Sequence, residues 1–344
     1  MRCVEPRSFS GHVLCNKPVA PMRKVKVLLI PVVETFHPWC EDVVNTVGPK
    51  HDLRIFDASR TAGPQFDQID VVIDHGGLGG TADMIDLAAG VKLWQILATG
   101  FDHFDLEYTK ARGIPVANCP GQFSAASLGE SAMMFVLMLA HRYRQAAADF
   151  HAGVFAKCDG AEVEGRTLGI IGFGASGQAL ARRARAFGMK VLAVDVRTID
   201  AEVLDQIQPK FLGSDQDIDR ILPQCDFISL HVPLDPQTRH IIDKNRLGRM
   251  KPTACLINVA RGELVEEDAL YEALVAGRLG GAGLDVFATE PPDPKLAIYQ
   301  LTNVVVTPHI AACTDGASRK RSRFTLENVN RIAQGLDPLY RIDQ

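Results

Sequence analysis

The sequence predicts an α/β protein made of two parallel-sheet domains. Three observations carry that prediction. Apolar strand-like runs alternate with helical segments along nearly the whole chain, the pattern of parallel sheets with helical crossovers. The 344 residues are enough for two separate cores. A glycine-rich strand–loop–helix unit lies at residues 167–197, near the middle of the chain, although such a unit usually opens its domain.

In the first part of the chain, strand signals fall at 25–30, 53–56, 71–73, 91–97 and 116–118. A helix is predicted over 37–47, and Thr81 reads as the N-cap of another. The third strand leads into His75-Gly76-Gly77-Leu78-Gly79-Gly80, and Trp94 is expected in a strand core. Residues 124–155 read as one long apolar helix crossing to the second unit, with Arg142 and Arg144 as solvated or rim charges. The second unit runs from Thr167 to about Pro308, with later strands at 227–230, 254–258, 281–286 and 304–306. Residues 311–332 are helical again, as a chain returning to its first domain would be. Residues 1–21 have no strand or helix period and no apolar signal core, so they read as a mobile extension, or the true start is Met22.

Composition excludes several classes. A net charge of −4 gives no reason to expect nucleic-acid or membrane-surface binding. No apolar run approaches the ~18 residues of a membrane span. None of the eight cysteines forms a C-x-x-C pair, so they read as reduced thiols of a cytoplasmic protein. No His/Cys/Asp spacing suggests a metal.

The central unit is specific. Leu168, Ile170 and Ile171 lead into Gly172-Phe173-Gly174-Ala175-Ser176-Gly177, an Ala/Arg-rich helix and a second apolar run ending at Asp195. Strand, glycine loop, helix, strand and acid form the dinucleotide-binding fingerprint in its required context. Gly172 permits the tight turn, Gly174 lets a pyrophosphate approach, and Gly177 lets the helix pack closely. The helix N-terminus, at Ala175 and Ser176, offers N–H groups and positive dipole to phosphates. Asp195 would accept hydrogen bonds from ribose hydroxyls and repel a 2′-phosphate, which favours NAD over NADP.

A nucleotide domain explains a cofactor and not a reaction. Three later segments carry chemistry. In Asn258-Val259-Ala260-Arg261-Gly262 a strand ends and an arginine follows, at the sheet edge where ligands bind. Its guanidinium can hold a carboxylate and polarise a carbonyl. Glu290 follows the strand ending near Val286, and His309 follows the last strand. A carboxylate beside an imidazole is an acid/base pair. Each residue alone reads as well as an ordinary loop residue; the combination does not.

In this order, the segments resemble the D-isomer-specific 2-hydroxyacid dehydrogenase family over nearly all of residues 24–335. The resemblance rests on the glycine loop with Asp195, His231-Val-Pro-Leu-Asp-Pro-Gln-Thr238, Asn258-Val-Ala-Arg-Gly262, Leu284-Asp-Val-Phe-Ala-Thr-Glu-Pro291 and Thr307-Pro-His309. It implies that Arg261 binds the substrate carboxylate and carbonyl, that His309 is the acid/base, and that Glu290 pairs with His309. It implies a substrate carboxylate cradled at Ala98-Thr99-Gly100, and NAD contacts from His231, Val232, Pro233, Thr238, Val259, Ala260, Arg261, Asp285 and His309. The implied fold is two Rossmann-like/flavodoxin-like domains. An NAD domain at 124–311 is inserted into a discontinuous substrate domain at 24–123 and 312–344. The family is typically dimeric, which would account for the apolar helix after Leu128.

The chain departs from the family at Ala175 and Ser176, where members often carry Arg and Ile, so one phosphate-facing cation is missing. Phe155 stands where many relatives have Trp, and residues 1–23 have no counterpart. Glu290 argues against the formate dehydrogenase branch, which has Gln there. The Gly76–Gly80 segment carries no cation for a phosphate. A small unphosphorylated 2-oxo acid such as glyoxylate or hydroxypyruvate is therefore expected, with Leu78 as an apolar contact. The alternatives are a phosphoglycerate dehydrogenase-like enzyme and an NAD-sensing corepressor-type protein of the same superfamily.

Overall fold

The computed structural model describes residues 23–31, 37–75, 80–155 and 159–344. Leu78 and most of its glycine-rich segment, residues 76–79, lie outside the described residues, as do residues 1–22.

Lys26–Ile30 (β1), Asp52–Ile55 (β2), Val71–Asp74 (β3), Leu93–Ile96 (β4) and Val116–Ala117 (β5) form one parallel sheet in the order β2-β1-β3-β4-β5. Its strands alternate between two cores, as a period of two requires. Val27, Leu29, Val71 and Ile73 face Trp39, Val43 and Val47, whereas Leu28, Ile30, Val72 and Trp94 face Ile85, Phe104 and Ile114. Trp94 is fully buried, as expected of a strand-core residue. The C-terminal helix Asp315–Ala333 returns to this sheet. It packs on His37–Val47, adds Leu326 and Val329 to the first of these cores, and hydrogen-bonds Asn328 to buried Gln95 at 2.7 Å.

Thr167–Ile171 (β6), Lys190–Val194 (β7), Phe211–Gly213 (β8), Phe227–Leu230 (β9), Cys255–Asn258 (β10), Gly281–Leu284 (β11) and Val304–Val306 (β12) form the second parallel sheet, ordered β12-β11-β10-β9-β6-β7-β8. In both sheets the order reverses beside the first strand, at β1/β3 and at β6/β9. Ligands bind outside the carboxyl ends of the strands at such reversals. Strand β8 was not expected: it has three residues, all only half-buried, and too short an apolar pattern to read.

The single helix expected over 124–155 is two, Ala125–Ala140 and Tyr143–His151, broken where Arg142 takes a left-handed φ of 49°. Arg144 is not a solvated charge. Its Nη1 donates to the carbonyls of Tyr299, Leu301 and Val304 at 3.1, 2.9 and 2.5 Å, which anchors the second helix to the edge of the sheet. The apolar load of Ala125–Ala140 packs inward, with Ala132, Met133, Phe135 and Val136 in the core. A side chain at Gly283 would stand 2.7 Å from Phe135, so β11 is glycine-rich where this helix crosses it.

Arg321 of the C-terminal helix is unusual. It is 3% exposed, its Nε and Nη1 have no hydrogen-bond partner among the described residues, and its guanidinium lies 4.0 Å over the Trp39 ring. Burial pushes its pKa down from the ordinary value. Arg321→Met keeps the bulk and removes an uncompensated buried charge. It is expected to raise the melting temperature, by about 1 kcal/mol or more of stability. A lower melting temperature would mean that the cation–π contact outweighs the desolvation.

Candidate active site

The glycine loop joins β6 to the helix Ala175–Ala186. Gly172 has φ of 94°, and a Cβ there would lie 2.5 Å from the His231 carbonyl. A Cβ at Gly177 would lie 2.2 Å from the Gly172 carbonyl, so the helix seats directly on the turn. The first turn of that helix leaves N–H groups without intrahelical partners, at Ala175, Ser176 and Gly177. The cradle thus fits a dinucleotide pyrophosphate: bare backbone, free donors and positive helix dipole at a sheet reversal.

His231 supports this loop from behind. Its Nδ1 is 3.0 Å from Ser176 Oγ and its Nε2 is 2.9 Å from Ser229 Oγ. Burial pushes the imidazole down to about 3, so it stays neutral. Thr238 closes the loop after β9 by donating to the Pro233 carbonyl at 2.7 Å. Val232 packs against the sheet core.

Asp195 ends the β7 segment as expected, but it is not free. Its Oδ2 accepts the Phe173 N–H at 2.7 Å and Arg197 Nη2 at 2.9 Å. Its Oδ1 accepts the Arg197 N–H and Nε, both at 2.9 Å. Burial raises its pKa, but these hydrogen bonds and the Arg197 charge outweigh that and hold it below the ordinary carboxylate range. Sequence reading passed over Arg197, although it stands two residues past the acid.

Arg261 follows β10 in a turn shaped by Asn258, which accepts the Ala260 N–H at 3.1 Å and donates to the Arg261 carbonyl at 2.7 Å. Val259 is buried beneath the turn. Arg261 Nε pairs with Asp102 of the first unit at 2.5 Å, and its Nη1 donates to the Ala260 carbonyl at 2.7 Å. A Cβ at Gly100 would fall 1.5 Å from Arg261 Nη2. Any side chain at 100 would therefore displace the guanidinium, and Arg261 and Gly100 meet across the gap between the two sheets. Thr99 Oγ1, in the residue before Gly100, is buried without a hydrogen-bond partner among the described residues.

Gly262 brings the next loop in. A Cβ there would lie 1.9 Å from the Phe287 carbonyl carbon. The Phe287 N–H donates to Glu290 Oε1 at 3.0 Å, and Glu290 Oε2 lies 2.7 Å from His309 Nδ1. Burial raises the Glu290 pKa, but the hydrogen bond from His309 and the charges of His309 and Arg261 hold it below its ordinary value. The structure thus brings Arg261, Glu290 and His309 together at the carboxyl ends of β10, β11 and β12.

His309 has a left-handed φ of 53°, a strained conformation for a non-glycine residue. Asp285 holds it there. This buried carboxylate accepts Thr307 Oγ1 at 2.6 Å and the Ile310 and Ala311 N–H groups at 2.9 Å each. Burial raises its pKa despite those bonds. Every hydrogen bond found for its side chain goes to this loop, so Asp285 positions His309.

Fold and site define a two-domain, dinucleotide-dependent protein with an Arg/Glu/His centre. The comparisons give the family. Residues 133–311 match the D-isomer specific 2-hydroxyacid dehydrogenase, NAD binding domain. A hydroxypyruvate reductase of Thermotoga maritima is 39% identical over 273 residues, covering 78% of this chain and 85% of that protein. A D-3-phosphoglycerate dehydrogenase of Methanocaldococcus jannaschii is 37% identical over 77% of this chain, but the chain spans only 50% of its length. A D-lactate dehydrogenase structure from Aquifex aeolicus, complexed with NAD and lactic acid, superposes with a TM-score of 0.75. It has 29% identity and covers 90% of this chain and 96% of that one. The chain belongs to the D-isomer specific 2-hydroxyacid dehydrogenase family.

Asp285→Asn tests the clamp. One amide atom must then present a donor to a backbone N–H or to Thr307, which costs about 1–3 kcal/mol. A melting temperature several degrees lower is expected, and an unchanged one would remove the clamp from the account of His309.

Proposed function

We propose that this protein is an NAD(H)-dependent reductase of small, unphosphorylated 2-oxo acids, glyoxylate and hydroxypyruvate first, running in reverse as a D-2-hydroxyacid dehydrogenase. The observation that carries the reading is Arg261, which meets Gly100 of the other unit and whose charge acts on Glu290, the partner of His309. Bound NADH supplies the hydride to substrate C2. Arg261 binds the carboxylate and polarises the 2-oxo group, where negative charge develops. The backbone at Gly100 and the unpartnered Thr99 hydroxyl complete the carboxylate cradle. His309, with Nδ1 held by Glu290, presents Nε2 to give a proton to the 2-oxo oxygen or take one from the 2-hydroxyl.

The intact triad favours an enzyme over an NAD sensor. A phosphoglycerate dehydrogenase-like activity is less favoured, since the Gly76–Gly80 sequence has no cation for a phosphate. We read residues 24–123 with 312–344 as the substrate unit and 124–311 as the NAD unit; the seat of the C-terminal helix on the first sheet supports this. Exposed Tyr143, Phe150, Val154 and Phe155 beside the linking helix support a homodimer. Sedimentation is expected to give twice the chain mass, and a monomer at micromolar concentration would refute it. Unpaired Cys40, Cys119, Cys225, Cys255 and Cys313 suit a reducing compartment such as the cytoplasm.

Mixing the protein with NADH and glyoxylate or hydroxypyruvate is expected to consume NADH. Arg261→Ala should lower kcat/KM by about a hundredfold or more. NADH binding without turnover of any 2-oxo acid in a broad panel would leave the sensor reading.

A further inference from the structure

Asp195 is the acid expected to take the adenosine ribose, yet its carboxylate is already saturated. Its two oxygens accept four hydrogen bonds, from the Phe173 N–H and from three groups of Arg197. Two oxygens offer about four lone-pair sites, so a ribose hydroxyl must displace an Arg197 donor. The Arg197 guanidinium also cancels the charge by which Asp195 would repel a phosphate.

Arg197 is placed to do more than neutralise. The Asp195 side chain is 4% exposed, whereas that of Arg197 is 63% exposed. Its Nη2 lies 2.8 Å from where a Gly174 side chain would begin, so the cation overhangs the glycine loop. Its Nη1 donates to nothing among the described residues. The loop itself carries no cation, having Ala175 and Ser176. A guanidinium with a free edge, next to the ribose-facing acid, matches a phosphate oxygen pair.

We propose that Arg197 is a cofactor-selecting residue: it turns from Asp195 to the 2′-phosphate of NADP(H), so the site accepts the phosphorylated dinucleotide as well as NAD(H). This rests on the reading of the glycine loop as a dinucleotide site. With NAD(H) bound, Asp195 takes the ribose hydroxyls in place of Arg197 donors. With NADP(H), the phosphate takes the guanidinium, and the Phe173 N–H still holds Asp195.

Binding, not turnover, tests this. NADH and NADPH are titrated by nucleotide fluorescence, with ADP and 2′,5′-ADP as competitors. The wild-type Kd values for NADPH and NADH are expected within about tenfold of each other. Arg197→Ala is expected to weaken NADPH and 2′,5′-ADP by about tenfold to a hundredfold, and to leave NADH and ADP unchanged or tighter. Arg197 is exposed, so a matching melting temperature is expected to verify the fold. Equal weakening of all four ligands would make Arg197 a ligand of the 5′-phosphate that they share and overturn the proposal. So would wild-type protein that binds NADH but takes NADPH more than about a hundredfold more weakly. Failure of the wild type to bind either dinucleotide would instead overturn the reading of the loop.

Discussion

The contact of Arg261 with Gly100 is the constraint on which the site depends. The guanidinium occupies the space where any side chain at residue 100 would begin, and Asp102 pairs with it from the same loop. One sheet supplies the arginine and the other supplies the bare backbone. Parallel sheets collect their loops at one edge, but nothing in that rule makes two such edges face each other. Here a missing side chain and an ion pair bring them together. On the proposed reading, a substrate carboxylate at this place would touch both units at once, as a reaction in an interdomain cleft requires.

Behind this contact the second sheet holds its reactive groups by close backbone approach. Gly262 lets the Arg261 turn lie against Phe287, and the Phe287 N–H fixes one oxygen of Glu290. The other oxygen fixes His309. The strain at His309 is met by Asp285, whose buried carboxylate gathers three donors of the same loop. Among the described residues this side chain bonds only the His309 loop, and so acts on His309 through geometry. The loop after an edge strand of only three residues is thus tied down by a carboxylate from the neighbouring strand end.

The glycine loop, Arg261, Glu290 and His309 were legible because each lies in a short segment whose neighbours are dictated by backbone geometry. Gly172 and Gly177 are glycines because a side chain would strike main-chain atoms. What was not legible depends on contacts distant in sequence. The break at Arg142 contains neither Gly nor Pro, and Arg144 finds its three carbonyls more than 150 residues away. Asp102 stood in plain view after Gly100, but its partner is 159 residues along the chain. Arg197 is the exception. It lies two residues from Asp195, and only the tendency to read the acid as a free acceptor hid it.

Three arginines show how this protein handles positive charge. Arg261 and Arg197 face the regions read as ligand sites, and each is paired with an aspartate. Around Arg261, which is partly buried, an unpaired guanidinium is costly, so the acid stabilises the empty state. An anionic ligand then exchanges one partner for another and does not have to desolvate a bare cation. The cost of that arrangement is weaker binding of any single anion, and its benefit is discrimination, because only a ligand that matches the fork replaces the aspartate. Arg321 has no such acid among the described residues. Among the described residues its guanidinium lies over the face of Trp39, with Nε and Nη1 unpaired. By the same physics, Arg321 is therefore a stability liability, whereas the acid beside Arg197 and Arg261 suits the selecting roles proposed for them.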